Sequence, residues 1–167
     1  MNRIALPALA ALALTLSACA SAPATTAQVV PQGPATQENW EVGQTAYLMW
    51  NGQRRGWTTA PSGLQYRRVG KAQPSGVQPT ATDTVKVHYR GTFIDGREFD
   101  SSRARGEPAT FPLNRLIQGW QEGVPMMRVG ERWLFAIPAD LAYGPGRGPI
   151  PANSTLLFDI ELIAVED

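Results

Sequence analysis

The chain has 167 residues, enough for one domain of ordinary size with appendages, and 43% of them are apolar, which suits a packed core rather than disorder. Lys and Arg total 15 against 14 Asp and Glu, with no basic run, so the charge pattern marks no nucleic-acid partner. A single cysteine, Cys19, excludes an intramolecular disulfide.

At the N-terminus, Arg3 precedes an apolar run of 13 residues, Ile4–Leu16. Such a run is shorter than the roughly 20 residues a membrane-spanning helix needs. It ends in Leu16-Ser17-Ala18-Cys19, which resembles the bacterial lipoprotein signal. The resemblance implies a signal peptide over residues 1–18, cleavage before Cys19, and acylation of its thiol and new amino terminus. Buried methylenes contribute about 0.8 kcal/mol each, so several chains hold a protein to a membrane. Ala20, where an aspartate would be a retention signal, implies by the same resemblance the cell envelope, lipid-anchored at the outer membrane and facing the periplasm. The competing reading is an ordinary secretory signal with an incidental cysteine. Residues 19–38 carry no charge before Glu38 and include Pro23, Pro31 and Pro34, so they read as a flexible tether.

Residues 39–59 contain Ala46, Leu48, Met49, Trp50 and Trp57, with Gly52 and Gly56 limiting any helix to a few turns. This short helical segment is expected to pack against the following domain or the linker, leaving the chain monomeric, the competing reading being a dimerisation arm. The folded domain is read as residues 60–167. Ser62–Val69 looks like a first strand, and Gly70–Ala81 is a loop. In Thr84–Phe93, Val85, Val87 and Tyr89 alternate with Lys86, His88 and Arg90, which marks a half-buried strand. Asp95-Gly96 makes a hairpin turn, and Arg97–Asp100 returns. Leu116, Ile117, Trp120, Val124 and Met127 have near-helical spacing, with Pro125 confined to a terminal turn or a bend. Arg132–Ile137 and Thr155–Val165 are further strands. The sum is an α+β domain, an antiparallel sheet of four to five strands wrapped around one short α-helix.

The residues exclude much chemistry. His88 is the one histidine and Cys19 the one cysteine, so no Cys/His metal site can assemble. His88 lies on the polar face of a strand, which argues against a Ser-His-Asp hydrolase. Gly144–Gly148 is glycine-rich but interrupted by Pro145, and it opens no helix, so it is no phosphate loop. No cofactor is called for.

Several segments, taken in order, resemble the FKBP family of peptidyl-prolyl cis-trans isomerases. They are Val87-His88-Tyr89-Arg90-Gly91-Thr92, Asp95-Gly96, Phe99-Asp100-Ser101-Ser102, Ile117-Gln118-Gly119-Trp120-Gln121-Glu122-Gly123, Val129-Gly130-Glu131, Ala142-Tyr143-Gly144 and Leu157-Phe158-Asp159-Ile160-Glu161-Leu162. Ser62-Gly63-Leu64-Gln65-Tyr66 resembles the bacterial branch. The implied activity is rotation about X-Pro bonds of exported proteins. That rotation meets a barrier of about 18–20 kcal/mol, because twisting destroys amide resonance. It needs no nucleophile or metal, only a site that binds the twisted imide better than the planar one.

By the same resemblance, Tyr89, Phe99, Leu116, Trp120, Ile150 and Phe158 line an apolar pocket, with Trp120 as the floor beneath the proline ring. The Tyr143 hydroxyl and the Ile117 N–H are implied donors to substrate carbonyls. Asp100 is the polar group nearest the twisting bond, with Arg105 supporting it and Tyr89. The implied partners are proline-containing polypeptides and the macrolide inhibitors tacrolimus and rapamycin. Two departures bear on the macrolides: the Gly144–Pro151 loop is short, and Ala109 stands where many members carry an aromatic. The alternative function is a non-catalytic chaperone or adaptor that holds proline-containing segments in the same pocket.

Overall fold

The strand with the clearest alternation in the sequence becomes the axis of the sheet. In the computed structural model, which describes residues 37–166, this strand (β3, Thr84–Phe93) buries Val85, Val87, Tyr89, Gly91 and Phe93 on one side. Along its whole length it pairs antiparallel with β7, Leu156–Glu166. Its other edge is shared. The C-terminal half pairs with β4 (Glu98–Ser101) and the N-terminal half with β5 (Ala109–Pro112). Beyond β7 lie β6 (Arg132–Ile137), β2 (Gln65–Val69) and the two-residue β1 (Thr58–Thr59), giving the order β1-β2-β6-β7-β3-β4.

The α+β class and the antiparallel sheet agree with the sequence reading, but among the described residues the strands number seven rather than four to five. The two that alternation does not announce are β1, too short for a period, and β5, which is followed at once by a 3-10 turn and ends in Pro112.

Inside the sheet sits one short helix, α3, Gln118–Gly123. Its glycines let it approach closely. A Cβ on Gly119 would lie 2.4 Å from a methyl of Ile137, and one on Gly123 would lie 2.5 Å from the Phe135 ring. Pro125 does not bend this helix. The chain passes into a 3-10 turn, Val124–Met126, at whose start the missing N–H of proline costs nothing. Leu113, Val124, Met127, Phe135 and Ile137 fill the space between helix and sheet, all almost fully buried. One more helical turn, α2 (Ser102–Arg105), follows β4.

The N-terminal helix, α1, runs from Gln37 to Gly52, starting two residues before the segment read from the sequence. It packs against the domain through buried polar bonds. Asn51 Nδ2 donates to Gln65 Oε1 at 2.8 Å, and Gln65 Nε2 donates to the Leu48 carbonyl at 2.8 Å. The signal peptide, Cys19 and all but the last two residues of the tether lie outside the described residues. Among the described residues no helix is long and apolar enough to cross a membrane.

Candidate functional site

Four elements each bring one aromatic ring to a single point. Trp120, from α3, is 4% exposed. Around it stand Tyr89 from β3, Phe111 from β5 and Phe158 from β7. Their centroids are 5.5, 6.2 and 5.3 Å from the indole, and their planes are turned 83°, 89° and 88° from it. Edge-to-face geometry of this kind is the favoured one for aromatic pairs. Phe99, from β4, extends the cluster, 5.6 Å from Phe158 and nearly perpendicular to it. Room for Phe99 comes from Gly91 opposite, where a Cβ would sit 2.6 Å from the Phe99 ring.

At the edge of this apolar floor sits a small polar lock. Tyr89 donates its hydroxyl to Asp100 in a short hydrogen bond, and Arg105 donates to the other Asp100 oxygen at 2.5 Å and to the Tyr89 oxygen at 2.9 Å. The local fold makes this triangle. Ser101 caps α2 by accepting the Ala104 N–H, and the helix ends after one turn at Gly106, in the left-handed region with φ 80°. Arg105 is thereby returned to Asp100. Burial disfavours ionisation of Asp100, but the bonds from Tyr89 and Arg105 together with the Arg105 charge outweigh it, so its carboxyl is held below the usual range. Burial and the bond to Asp100 push the Tyr89 phenol the other way, up.

Ser102 completes the lock. Between the stretches of β3 paired with β5 and with β4, no strand faces Tyr89 on that edge. The Ser102 hydroxyl stands in, accepting the Tyr89 N–H at 2.7 Å and lying 3.2 Å from the Tyr89 carbonyl.

Leu116 and Ile117 precede α3, half-buried against the core. The Ile117 carbonyl accepts from the N–H of Trp120 at 2.9 Å, while its own N–H has no acceptor among the described residues. The loop carrying Tyr143 and Ile150 also packs on the hydrophobic core. Arg147 and Ile150 exchange backbone bonds at 3.0 Å, and Asn153 N–H donates to the Gly144 carbonyl at 2.8 Å. Ile150 is buried, whereas Tyr143 is half-buried and its hydroxyl has no partner among the described residues.

Of the site residues singled out in the sequence, Tyr89, Phe99, Asp100, Arg105, Trp120 and Phe158 are joined by these ring pairs and hydrogen bonds, Leu116, Ile117, Tyr143 and Ile150 belong to or pack on the same hydrophobic core, and Cys19 lies outside the described residues. Phe111 is the site residue that sequence reading misses. It projects on the same side of β5 as Ala109, and its signal is the alternation Ala109-Thr110-Phe111. Among the described residues no group of His, Cys, Asp and Glu could hold a metal ion.

Residues 75–163 match the family model described as FKBP-type peptidyl-prolyl cis-trans isomerase. Among curated relatives, FkpA of Aeromonas hydrophila is 52% identical over 132 residues, covering 77% of this chain and 47% of its own length. The "Outer membrane protein MIP" of Legionella longbeachae is 46% identical over 123 residues, covering 72% and 52%. The crystal structure of FkpA from Escherichia coli superposes with a TM-score of 0.73 at 42% identity, covering 77% of this chain and 60% of that one. The chain thus spans about half the length of the curated relatives it matches.

Proposed function

Because the chain belongs to the FKBP-type peptidyl-prolyl cis-trans isomerase family, we propose that it catalyses rotation about X-Pro bonds in exported polypeptides. The observation that carries this is the frame of Tyr89, Phe111 and Phe158 set perpendicular around buried Trp120. A proline ring placed on the indole brings its imide into surroundings with little water. A twisted amide has less charge separation than a planar one, so apolar walls favour it. Each 1.36 kcal/mol of that preference gives tenfold in rate.

Two donors without partners among the described residues, the Tyr143 hydroxyl and the Ile117 N–H, are available to substrate carbonyls on either side. Asp100 stays ionised beside the twisting bond because Arg105 and Tyr89 hold it. Leu116, Ile150 and Phe99 close the walls. No group is covalently modified and no proton needs to leave. The test is isomerisation of a short X-Pro peptide by the chain without its first 19 residues. Acceleration that disappears in an Asp100→Ala/Tyr143→Phe double variant is expected, and a fully active double variant would sink these roles. An inert wild-type protein that still binds the peptide would favour the chaperone or adaptor reading.

The same pocket should take the pipecolyl ring of tacrolimus or rapamycin, more weakly than in members with an aromatic in place of Ala109. Calorimetric titration should show Ala109→Phe tightening binding, and no binding to the wild type would remove the pocket assignment. Location is read from Leu16-Ser17-Ala18-Cys19, with the Legionella relative's outer-membrane name in support. Residues 1–18 are the leader, and Cys19 carries lipid that holds the domain at the outer membrane. If Cys19→Ser fractionates like the wild type as a soluble protein, the anchor does not exist.

A further inference from the structure

Three side chains on one side of α1 reach across the whole sequence to the same short segment. Trp40 Nε1 donates to the Ala152 carbonyl at 3.1 Å, Glu41 accepts from Asn153 Nδ2 at 2.7 Å, and buried Gln44 accepts the Thr155 N–H at 2.9 Å. The segment they hold, 152–155, is the return of the loop bearing Tyr143 and Ile150. Its geometry is demanding. Asn153 has φ 57°, the one positive value among the described non-glycine residues. The left-handed region is costly for most side chains, less so for asparagine, and a residue persists there where its surroundings fix it. Here they do: its side chain is bonded to α1, and its N–H to the Gly144 carbonyl beside Tyr143. Gly146 packs against the same return, where a Cβ would lie 2.8 Å from the Ile150 carbonyl.

The same tryptophan is linked through one intervening ring to Phe99. Its ring meets Phe93 edge-on at 6.3 Å, and Phe93 lies 5.2 Å from Phe99. One turn of helix outside the sheet is thus joined to the return of the Tyr143–Ile150 loop and, through Phe93, to Phe99.

We propose that Trp40 is a positioning residue for the isomerase site: α1 fixes the spacing between the Tyr143–Ile150 loop and Phe99, and so sets how tightly residues flanking the proline are held. This rests on the isomerase reading above. A loop that is not held must be ordered when substrate binds, and that cost falls on affinity. Among the described residues no hydrogen bond or ring pair joins α1 directly to Trp120, Tyr89, Phe158 or Asp100, so the loss should fall on KM first.

The experiment measures KM and kcat separately for X-Pro peptides with the full chain, Trp40→Ala, Trp40→Phe and Asn51→Ala. Trp40→Ala should raise KM about 3- to 10-fold with kcat within about twofold, the pattern of lost ordering rather than lost chemistry. Trp40→Phe keeps a ring against Phe93 and loses the bond to Ala152, so its KM falls between. Asn51→Ala loosens the helix at Gln65, away from the pocket, and lowers stability without moving KM. An unchanged KM in Trp40→Ala, or an equal rise in Asn51→Ala, overturns the proposal. Amide hydrogen exchange supplies a reading free of activity. Trp40→Ala should speed exchange at Asn153 while β3 and β6 stay protected, and equal rates at Asn153 in the two proteins would also overturn it. A wild-type protein that isomerises nothing defeats the isomerase reading, whatever the exchange shows.

Discussion

The floor and the rim of the pocket are built in opposite ways. The floor is apolar and closely fitted: Trp120, Tyr89, Phe111 and Phe158 meet ring on ring, over a helix brought against the sheet by Gly119 and Gly123. The rim, from Tyr143 to Thr155, is held by single hydrogen bonds, several of them from a helix more than a hundred residues away in the chain. Close packing is intolerant of change in any direction, whereas a polar tether can be lost one bond at a time. The difference separates two properties of one site. On the proposed isomerase reading, the floor would decide whether a proline is accepted and the rim would act on what surrounds it.

Substitutions on each side should therefore differ in size and in kind. Phe158→Ala, in the floor, removes a ring from three aromatic contacts and should cost about 3–5 kcal/mol of stability, measured by denaturant unfolding. A loss under about 1 kcal/mol would mean that the floor collapses freely and the contrast is false. In the rim, Asn153→Ala forces alanine to a left-handed φ and deletes the bond to Glu41. About 1–2 kcal/mol is expected, and Asn153→Gly should recover most of it. If glycine recovers nothing, the backbone there is not what the rim depends on.

Smaller still is Tyr143→Phe. It deletes one hydroxyl and leaves the ring, so unfolding should not change, while kcat/KM should fall by the equivalent of about 0.5–1.5 kcal/mol. A change in the melting temperature would assign that hydroxyl to structure instead.

The mildest perturbation is acid. Asp100 has its folded pKa lowered, so what it contributes is complete above its unfolded pKa of about 3.9 and is lost as pH falls through the lower folded value. Since the carboxylate is partly exposed, the loss is small and screened. Activity should decline over this range while the tryptophan environment of the floor stays unchanged, as followed by fluorescence. Simultaneous loss of both would show that lock and floor are one unit.

What the sequence makes legible follows the same division. β3 and β6 have the bounds read from the sequence; β3 alternates because one face is buried and the other less so, while β6 buries both faces at its end, Phe135–Ile137. Trp120, Tyr89 and Phe158 stand out because they lie in segments with a strong local pattern. Phe111 is hidden in a strand of four residues that ends in proline. The four-residue α2 leaves no period, yet it is what returns Arg105 to Asp100. Trp40, Glu41 and Gln44 read only as part of a short helix, since no periodicity records a partner beyond residue 150. Contacts between neighbours in sequence leave a pattern; contacts that close the molecule do not.

One feature of the sheet bears on how the chain reaches this state. β7, the last strand, lies between β6 and β3. Until residues 156–166 are in place, β1-β2-β6 and β3-β4-β5 are two separate ribbons, each with an open inner edge, and Trp120 has no second sheet half to rest against. A chain that emerges N-terminus first cannot assemble its sheet progressively. It must wait, with unpaired edges available to other chains, and then close in a single late step that depends on contacts far apart in sequence. Such contacts form slowly, and exposed edges invite association in the interval. The vulnerable moment in the life of this protein is thus set by strand order, and removing residues 156–166 would split the sheet down its middle rather than trim its border.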